Sequence, residues 1–331
     1  MTERIISKTA TLDDNSQNNL HRPKLLKEFT GQSQLKTNLK IFITAAKQRS
    51  DALDHIIFYG PAGFGKTTLA GIIAKELGAN FKPTAAPLLT RPCDIAAILT
   101  NLQCNDVLFI DEMHRLSKNI EEILYPAMEN GHLDIMTGKG PAARMVRISI
   151  PQFTLIGATT KIGTLSKPLR DRFGICAQFE PYSTQELIFI IHKAIQSMQI
   201  SIADEAALLI AQCSRGTPRI AIRLAKRLRD FIQTNNQKYA NKQVTVEVLQ
   251  KLGIDDYGLD QYDRRYMKFI SLHYLNTPVG INTIAAALSE NKENIEETIE
   301  PYLIEKGLIH KTARGRILSN NGKKYCISSI L

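Results

Sequence analysis

Gly60-Pro61-Ala62-Gly63-Phe64-Gly65-Lys66-Thr67 fits the pattern GxxxxGK(S/T), and the apolar run His55-Ile56-Ile57-Phe58-Tyr59 leads straight into it. A short apolar run that stops at a glycine reads as a buried strand. A strand feeding a glycine-rich loop with Lys-Thr at its end is the signature of a nucleoside triphosphate site. Glycines let successive backbone N–H groups turn toward the β- and γ-phosphates at a helix N-terminus. Lys66 adds a point charge and Thr67 a hydroxyl for Mg²⁺. Apolar residues then recur at helical spacing from Thr67 to Leu77, and Gly78 closes that helix. Strand, loop and helix follow one another as an α/β P-loop fold requires.

Working outward, Asp106-Val107-Leu108-Phe109-Ile110-Asp111-Glu112 supplies a second buried strand, ending in two carboxylates. Parallel sheets present ligand sites at the carboxyl ends of their strands, which places Asp111 near Mg²⁺ and Glu112 near an attacking water. A third strand, Phe153-Thr154-Leu155-Ile156-Gly157-Ala158, ends in Thr159-Thr160, hydroxyls positioned to order the water or the γ-phosphate. Leu169-Arg170-Asp171-Arg172-Phe173-Gly174 sets two guanidiniums around one acid. Either can pair locally with Asp171, and one can reach the γ-phosphate held by a neighbouring subunit. Arg219 opens a helix after Gly216-Thr217-Pro218, with proline tolerated in the first turn. That helix sets an apolar stripe of Ile220, Leu224 and Leu228 against a basic face of Arg223, Lys226, Arg227 and Arg229, read as solvated surface or subunit contact.

The chain has 331 residues, enough for two or three domains. Its 42 Lys+Arg against 32 Asp+Glu give a net charge of +10, which suits a polyanionic partner such as nucleic acid. Five cysteines without a CxxC pair read as reduced thiols. His114 has no HExxH partner, so no structural metal is expected. The polar stretch from Met1 to Asn19 reads as a flexible tail, and no apolar run is long enough for a signal peptide or a membrane span. A cytoplasmic protein with no membrane partner is expected.

From about Asp255 the pattern changes to helices over Arg264 to Leu275, Ile281 to Leu288 and Asn294 to Lys306, followed by strand-like Leu308-Ile309-His310 and Ile317-Leu318. This is a winged-helix order. The region of its third helix sets Glu293, Glu296, Glu297, Glu300 and Glu305 against Lys306, which disfavours contact with phosphates. The wing carries Lys311, Arg314, Arg316, Lys323 and Lys324 with no acid. Backbone contact by the wing, rather than base readout by the helix, is therefore predicted.

These elements in this order resemble the AAA+ ATPases. Leu124-Tyr125-Pro126-Ala127-Met128-Glu129, Gly140-Pro141-Ala142-Ala143-Arg144, Leu169 to Gly174 and Gly216 to Ile220 resemble, within them, the bacterial Holliday-junction branch-migration motors, from about residue 20 to the C-terminus. The resemblance implies a large AAA+ domain over 20–181, a small helical lid domain over 182–254 and a C-terminal winged-helix domain over 255–331, after a tail over 1–19. It implies ATP as the nucleotide, with Mg²⁺ held by Thr67 and, through water, by Asp111. Glu112 is then the catalytic base, Lys66 the phosphate ligand, Thr160 (or Thr159) the first sensor, Arg219 the second, and Arg172 the finger acting on a neighbour. Nucleotide contacts are further implied at His21, Arg22, Gly63, Gly65, Thr68, Glu129, Asn130, Gly131 and Tyr182. DNA contact is implied at Lys311 and Arg316, beside Arg314 in the same wing.

The partners implied are copies of the chain in a homohexameric ring, with two rings per junction, RuvC in the resolving complex, and double-stranded and four-way junction DNA. RuvA is expected to dock on a hairpin near residues 133–150, where Lys139 replaces a commonly acidic residue. Leu88 to Asp94 also departs from the family's usual acidic-basic-glycine pattern. Two rival assignments stand beside it: a clamp-loader or replication-initiator ATPase, which shares the ATP site, and a catalytically silent DNA-binding scaffold, against which the set Lys66, Asp111, Glu112, Arg172 and Arg219 argues.

Overall fold

The computed structural model describes residues 23–137, 144–235 and 237–329. The described chain divides into two compact units, one ending at Tyr182 and the other beginning at Ser183.

The first unit runs α1 (Ser33–Arg49), β1 (Ile56–Tyr59), α2 (Lys66–Leu77), β2 (Phe81–Ala85), α3 (Pro92–Thr100), β3 (Val107–Asp111), α4 (Lys118–Asn130), β4 (His132–Thr137), β5 (Arg144–Ser149), β6 (Thr154–Thr159), α5 (Lys167–Arg170) and β7 (Ile175–Gln178). Five strands form one parallel sheet in the order β2-β3-β6-β1-β7. Parallel strands need long crossovers, and a sheet covered on both faces needs apolar residues at every strand position. That is why β1, β3 and β6 read as unbroken apolar runs: Ile56, Ile57, Phe58, Val107, Leu108, Ile110, Leu155 and Ile156 are fully buried.

Strand β1 lies between the two last strands, so the loops after β1, β3 and β6 open side by side at the carboxyl edge. Gly157 in β6 lets the turn after β3 settle on the sheet, because a Cβ there would stand 2.0 Å from Met113 Sδ and 2.8 Å from Ile57 Cδ1. Strands β4 and β5 form a separate antiparallel hairpin, with His132 opposite Ser149 and Thr137 opposite Arg144. This is the hairpin expected near 133–150; Lys139 lies outside the described residues.

The second unit runs α6 (Thr184–Ser197), β8 (Ser201–Ile202), α7 (Asp204–Cys213), α8 (Pro218–Thr234), β9 (Tyr239–Ala240), α9 (Lys242–Lys251), α10 (Gln261–His273), α11 (Ile281–Leu288), α12 (Lys292–Asn294), a π-helical segment Ile295–Ile299, α13 (Glu300–Glu305), β10 (Ile309–Thr312), β11 (Gly315–Leu318) and α14 (Asn320–Ser329). Ser183 and Glu186 cap α6 reciprocally. Tyr266, Met267, Ile284, Ile295, Leu303, Ile309 and Cys326 belong to the core of the C-terminal part.

The three winged-helix helices and the β10–β11 wing lie where the sequence places them, and Val279 adds a bridge to Arg316. The π segment has a local cause: Pro301 lacks the N–H that would close an α turn on Glu297. Helix α14 is an addition to the sequence reading. One expectation is corrected: Arg223 and Lys226 on α8 are buried, so the basic face of that helix is not a solvated stripe. All five cysteines are free thiols, and among the described residues no helix is long and apolar enough to cross a membrane.

Candidate functional site

The loop between β1 and α2 is shaped by its glycines, with φ of +138° at Gly60, +84° at Gly63 and +94° at Gly65. Side chains bearing a Cβ resist such angles. Lys66, only 7 % exposed, donates from Nζ to the carbonyls of Gly60 (2.7 Å) and Pro61 (2.8 Å). Thr67 and Thr68 follow in the first turn of α2. At the end of β3, Asp111 accepts a hydrogen bond on Oδ2 from Thr67 Oγ1 at 3.2 Å, and on Oδ1 from the Glu112 N–H at 2.9 Å. Two segments more than forty residues apart therefore meet through oxygen atoms. Hard oxygen donors of this kind suit Mg²⁺.

Glu112 has φ of +52°, which turns the chain out of the strand, and its carboxylate pairs with Arg115 at 3.1 Å. Beyond it, His114 Nδ1 lies 3.3 Å from Thr159 Oγ1, which also accepts the Lys161 N–H at 3.0 Å. Thr159 is buried and its hydroxyl engaged, whereas Thr160 is the exposed member of the pair at the carboxyl edge.

An aromatic wall backs the loop, and the sequence reading found only part of it. Tyr182 donates to Phe64 O at 3.0 Å and meets the Phe64 ring edge-on, while Phe29 packs beside Gly65. Gln32 ties this corner down, donating to Glu180 O at 2.7 Å and accepting the Glu180 N–H at 3.2 Å. Lys36 donates to Phe29 O at 2.7 Å. Phe29, Gln32 and Lys36 escaped sequence reasoning because nothing in Phe29-Thr30-Gly31-Gln32 announces a partner some 150 positions away. His21 and Arg22 lie outside the described residues.

Arg172 sits apart, in a cage of its own chain. Its Nη2 pairs with Glu129 at 3.1 Å, Nη1 donates to Pro168 O at 2.7 Å, and the guanidinium lies 4.5 Å from the centre of the Tyr125 ring. Tyr125 is tied in turn to Ser166 (2.9 Å) and to the buried Glu121 (3.1 Å). Burial raises the Tyr125 phenol above its ordinary pKa. Glu129, Asn130 and Gly131 end α4, with Gly131 as its cap. In the second unit, Pro218 and Arg219 open α8, as their order in the sequence requires. The segment from Leu88 to Asp94 closes on itself: Asp94 accepts from the Arg91 backbone and side chain, bonds that hold its carboxyl down to about 2.

The cations of the wing differ in how they are held. Lys311 and Arg314 are exposed, but Arg316 is 6 % exposed and committed. Its Nε donates to Glu300 Oε1 (2.7 Å), and its Nη2 donates to Glu300 Oε2 (3.1 Å) and Glu296 Oε1 (2.7 Å). Tyr266 donates to the same Glu300 at 3.1 Å. Three carboxylate hydrogen bonds hold the Arg316 guanidinium inside the fold, where the sequence reading has it facing DNA. Lys311 leans on the same acids, 3.3 Å from Glu296 and 3.8 Å from Glu300, while half its side chain stays exposed.

With this geometry in hand, three family descriptions match: the Holliday junction DNA helicase RuvB P-loop domain over residues 21–179, the RuvB AAA lid domain over 182–255 and the RuvB C-terminal winged helix domain over 256–327. The chain belongs to the RuvB family. Among curated RuvB relatives, the Holliday junction branch migration complex subunit of Orientia tsutsugamushi strain Ikeda is 54 % identical over 316 residues, covering 96 % of this chain and 97 % of its own. That of Ehrlichia ruminantium strain Gardel is 54 % identical over 321 residues, covering 97 % and 96 %. The solved RuvB Holliday junction branch migration motor of Thermotoga maritima superposes with a TM-score of 0.85 at 45 % identity, covering 93 % of this chain and 99 % of that one. As a RuvB P-loop protein, the chain is a nucleotide-binding ATPase.

Proposed function

We propose that this chain is the ATP-hydrolysing motor subunit of a Holliday junction branch migration complex, driving duplex DNA through a four-way junction during recombination and repair. The observation that carries the chemistry is the meeting of Thr67 and Asp111 at 3.2 Å beside a Lys66 already folded into its loop. Lys66 and the loop N–H groups bind the β- and γ-phosphates. Thr67 and, through water, Asp111 would hold Mg²⁺, which would supply charge neutralisation on the phosphate oxygens.

Glu112 takes a proton from the attacking water, so that the water oxygen bonds to the γ-phosphorus as the bridging P–O bond to ADP breaks. Thr160, exposed beside it, orders the water. Arg172 serves the γ-phosphate of a neighbouring copy in a hexameric ring, exchanging its bond to Glu129 for one to phosphate, and Arg219 acts as the second sensor. The wing contacts DNA through Arg314 and Lys311, with no base readout, which predicts weak sequence preference and steep salt dependence. RuvA docks on the β4–β5 hairpin.

The test is ATP-dependent movement of a synthetic four-way junction, with and without cognate RuvA, with phosphate release followed in parallel. Movement that needs both ATP and RuvA supports the motor. ATP hydrolysis with no junction movement, given a RuvA shown to bind that junction, points to a clamp-loader or initiator ATPase instead.

A further inference from the structure

Between α7 and α8 the chain makes a tight buried turn, Ser214-Arg215-Gly216-Thr217, immediately before Pro218-Arg219. Arg215 stands in it with φ of +53°, and Thr217 Oγ1 closes the turn on Arg215 O at 3.0 Å. The Arg215 side chain is 1 % exposed and forms an ion pair with Asp263, itself 0 % exposed, on α10. The guanidinium also donates to Gly258 O at 2.9 Å and lies 4.3 Å from the centre of the Tyr302 ring on α13. One side chain from the lid segment thus grips three points of the winged-helix segment.

This pair is a poor investment in stability. Nε and Nη1 of Arg215 are buried without a hydrogen-bond acceptor among the described residues. Burying two charges is generally no better than packing apolar side chains in their place, and unsatisfied donors add a further cost. What such a pair does supply is a defined geometry.

That geometry continues toward the wing. One turn along α10 from Asp263, Tyr266 donates to Glu300. Two residues before Tyr302, the same Glu300 grips Arg316, which lies opposite Lys311 across the wing strands. Tyr302 is anchored in turn, donating to Tyr257 O at 2.8 Å. The 214–217 turn and the wing are therefore joined by a contiguous chain of packed and hydrogen-bonded groups, Arg215 to Asp263 and Tyr302, then Tyr266 and Glu300, then Arg316.

We propose that Arg215 is a positioning residue that fixes the winged helix to the turn carrying Arg219, so that a shift of that turn moves the wing as a rigid extension of it. The proposal rests on the motor reading above. Spatial continuity alone does not establish coupling, so the test must read coupling directly.

The variants are the full chain carrying Arg215→Met with Asp263→Asn, and Arg215→Lys as the conservative change. The double variant removes both charges while Asn keeps an acceptor for the Asp260 N–H, which Asp263 Oδ2 accepts at 2.9 Å. Melting temperature, duplex binding, basal ATP hydrolysis, its stimulation by duplex DNA, and junction movement per ATP hydrolysed with RuvA are measured together. The expected result is a folded protein with duplex binding and basal hydrolysis near wild type. DNA stimulation and movement per ATP fall about tenfold or more, and Arg215→Lys lies between. A folded double variant that keeps wild-type stimulation and movement per ATP overturns the proposal. So does a variant whose movement falls only in proportion to its basal hydrolysis. Should the double variant not fold, Arg215→Lys decides by the same two ratios. If the wild type hydrolyses ATP without moving junctions, the motor reading fails instead, and the stimulation ratio alone still judges Arg215.

Discussion

Lys66 in the phosphate loop and Arg316 in the wing are almost equally buried, at 7 % and 6 % exposure, yet they are suited to opposite tasks. Lys66 donates to two neutral carbonyls of its own loop, bonds that an arriving phosphate can outcompete. Arg316 is bound by Glu300 and Glu296, and pulling it away would leave Glu300, 2 % exposed, with only the half-exposed Lys311 at 3.8 Å to balance its charge. Burial does not separate a ligand-binding cation from a structural one. The charge of what already holds it does.

The largest expected effect tests the nucleotide side of that comparison. Glu112→Gln keeps Lys66, Thr67 and Asp111 in place and removes the proton acceptor along with its exposed ion pair to Arg115, so ATP binding should persist. Turnover should drop about 10²- to 10⁴-fold, the usual worth of general-base catalysis. Nucleotide titration and phosphate release at saturating DNA and partner check both halves. Undiminished turnover would remove Glu112 from the chemistry.

On the wing side, Arg316→Ala should behave as a folding mutation, costing about 3–5 kcal/mol because Glu300 is left buried without its partner. Denaturation measurements report it. Arg314→Ala at the exposed wing tip should leave stability within about 0.5 kcal/mol of wild type. It should instead reduce the slope of log affinity against log salt for duplex DNA by about 1. If Arg316→Ala folded normally and lost DNA affinity, the assignments of the two arginines would have to be exchanged.

The same contrast explains what could be read in the chain. The three apolar strands, the loop and the Thr67–Asp111 meeting were legible because apolar runs and fixed spacing encode them locally: Gly60 to Thr67 is contiguous, and Asp111 and Glu112 close one apolar run. The wing was read by adding charges segment by segment, which set an acidic helix against a basic hairpin. In the fold those segments touch, and Glu296 and Glu300 are neutralised by Arg316 and Lys311 rather than facing solvent. Charge counts carry no information about which charges are spent on each other. Arg215 was passed over for a related reason, since its partners Asp263 and Tyr302 lie 48 and 87 positions away and no periodicity links them. Phe29 and Gln32, which brace the loop and the Glu180 strand exit, were silent in the same way.

The smallest effect is a pH dependence of the nucleotide unit that a single side chain should set. His55 Nδ1 accepts the Leu155 N–H at 2.9 Å, which fixes the proton on Nε2, 3.2 Å from Met128 O. Burial lowers its pKa below the ordinary histidine value of 6.5, outweighing the bond to Met128 and the neighbouring Asp54 charge, both of which favour the proton; the Phe153 ring covers the remaining side. As pH falls through about 6.5 the unfolded chain takes up a proton that folded His55 refuses, so the stability present above that pH is lost progressively toward the lower folded pKa. One such group contributes a slope of at most about 1.4 kcal/mol per pH unit. His55→Asn can keep an acceptor for Leu155 while removing the titration. Denaturant unfolding of the nucleotide unit between pH 7.5 and 5.5 should therefore be flatter in the variant than in the wild type. Equal slopes would show that His55 is protonated to the same extent in the folded and unfolded chain, and that its buried hydrogen bonds do not select the neutral ring.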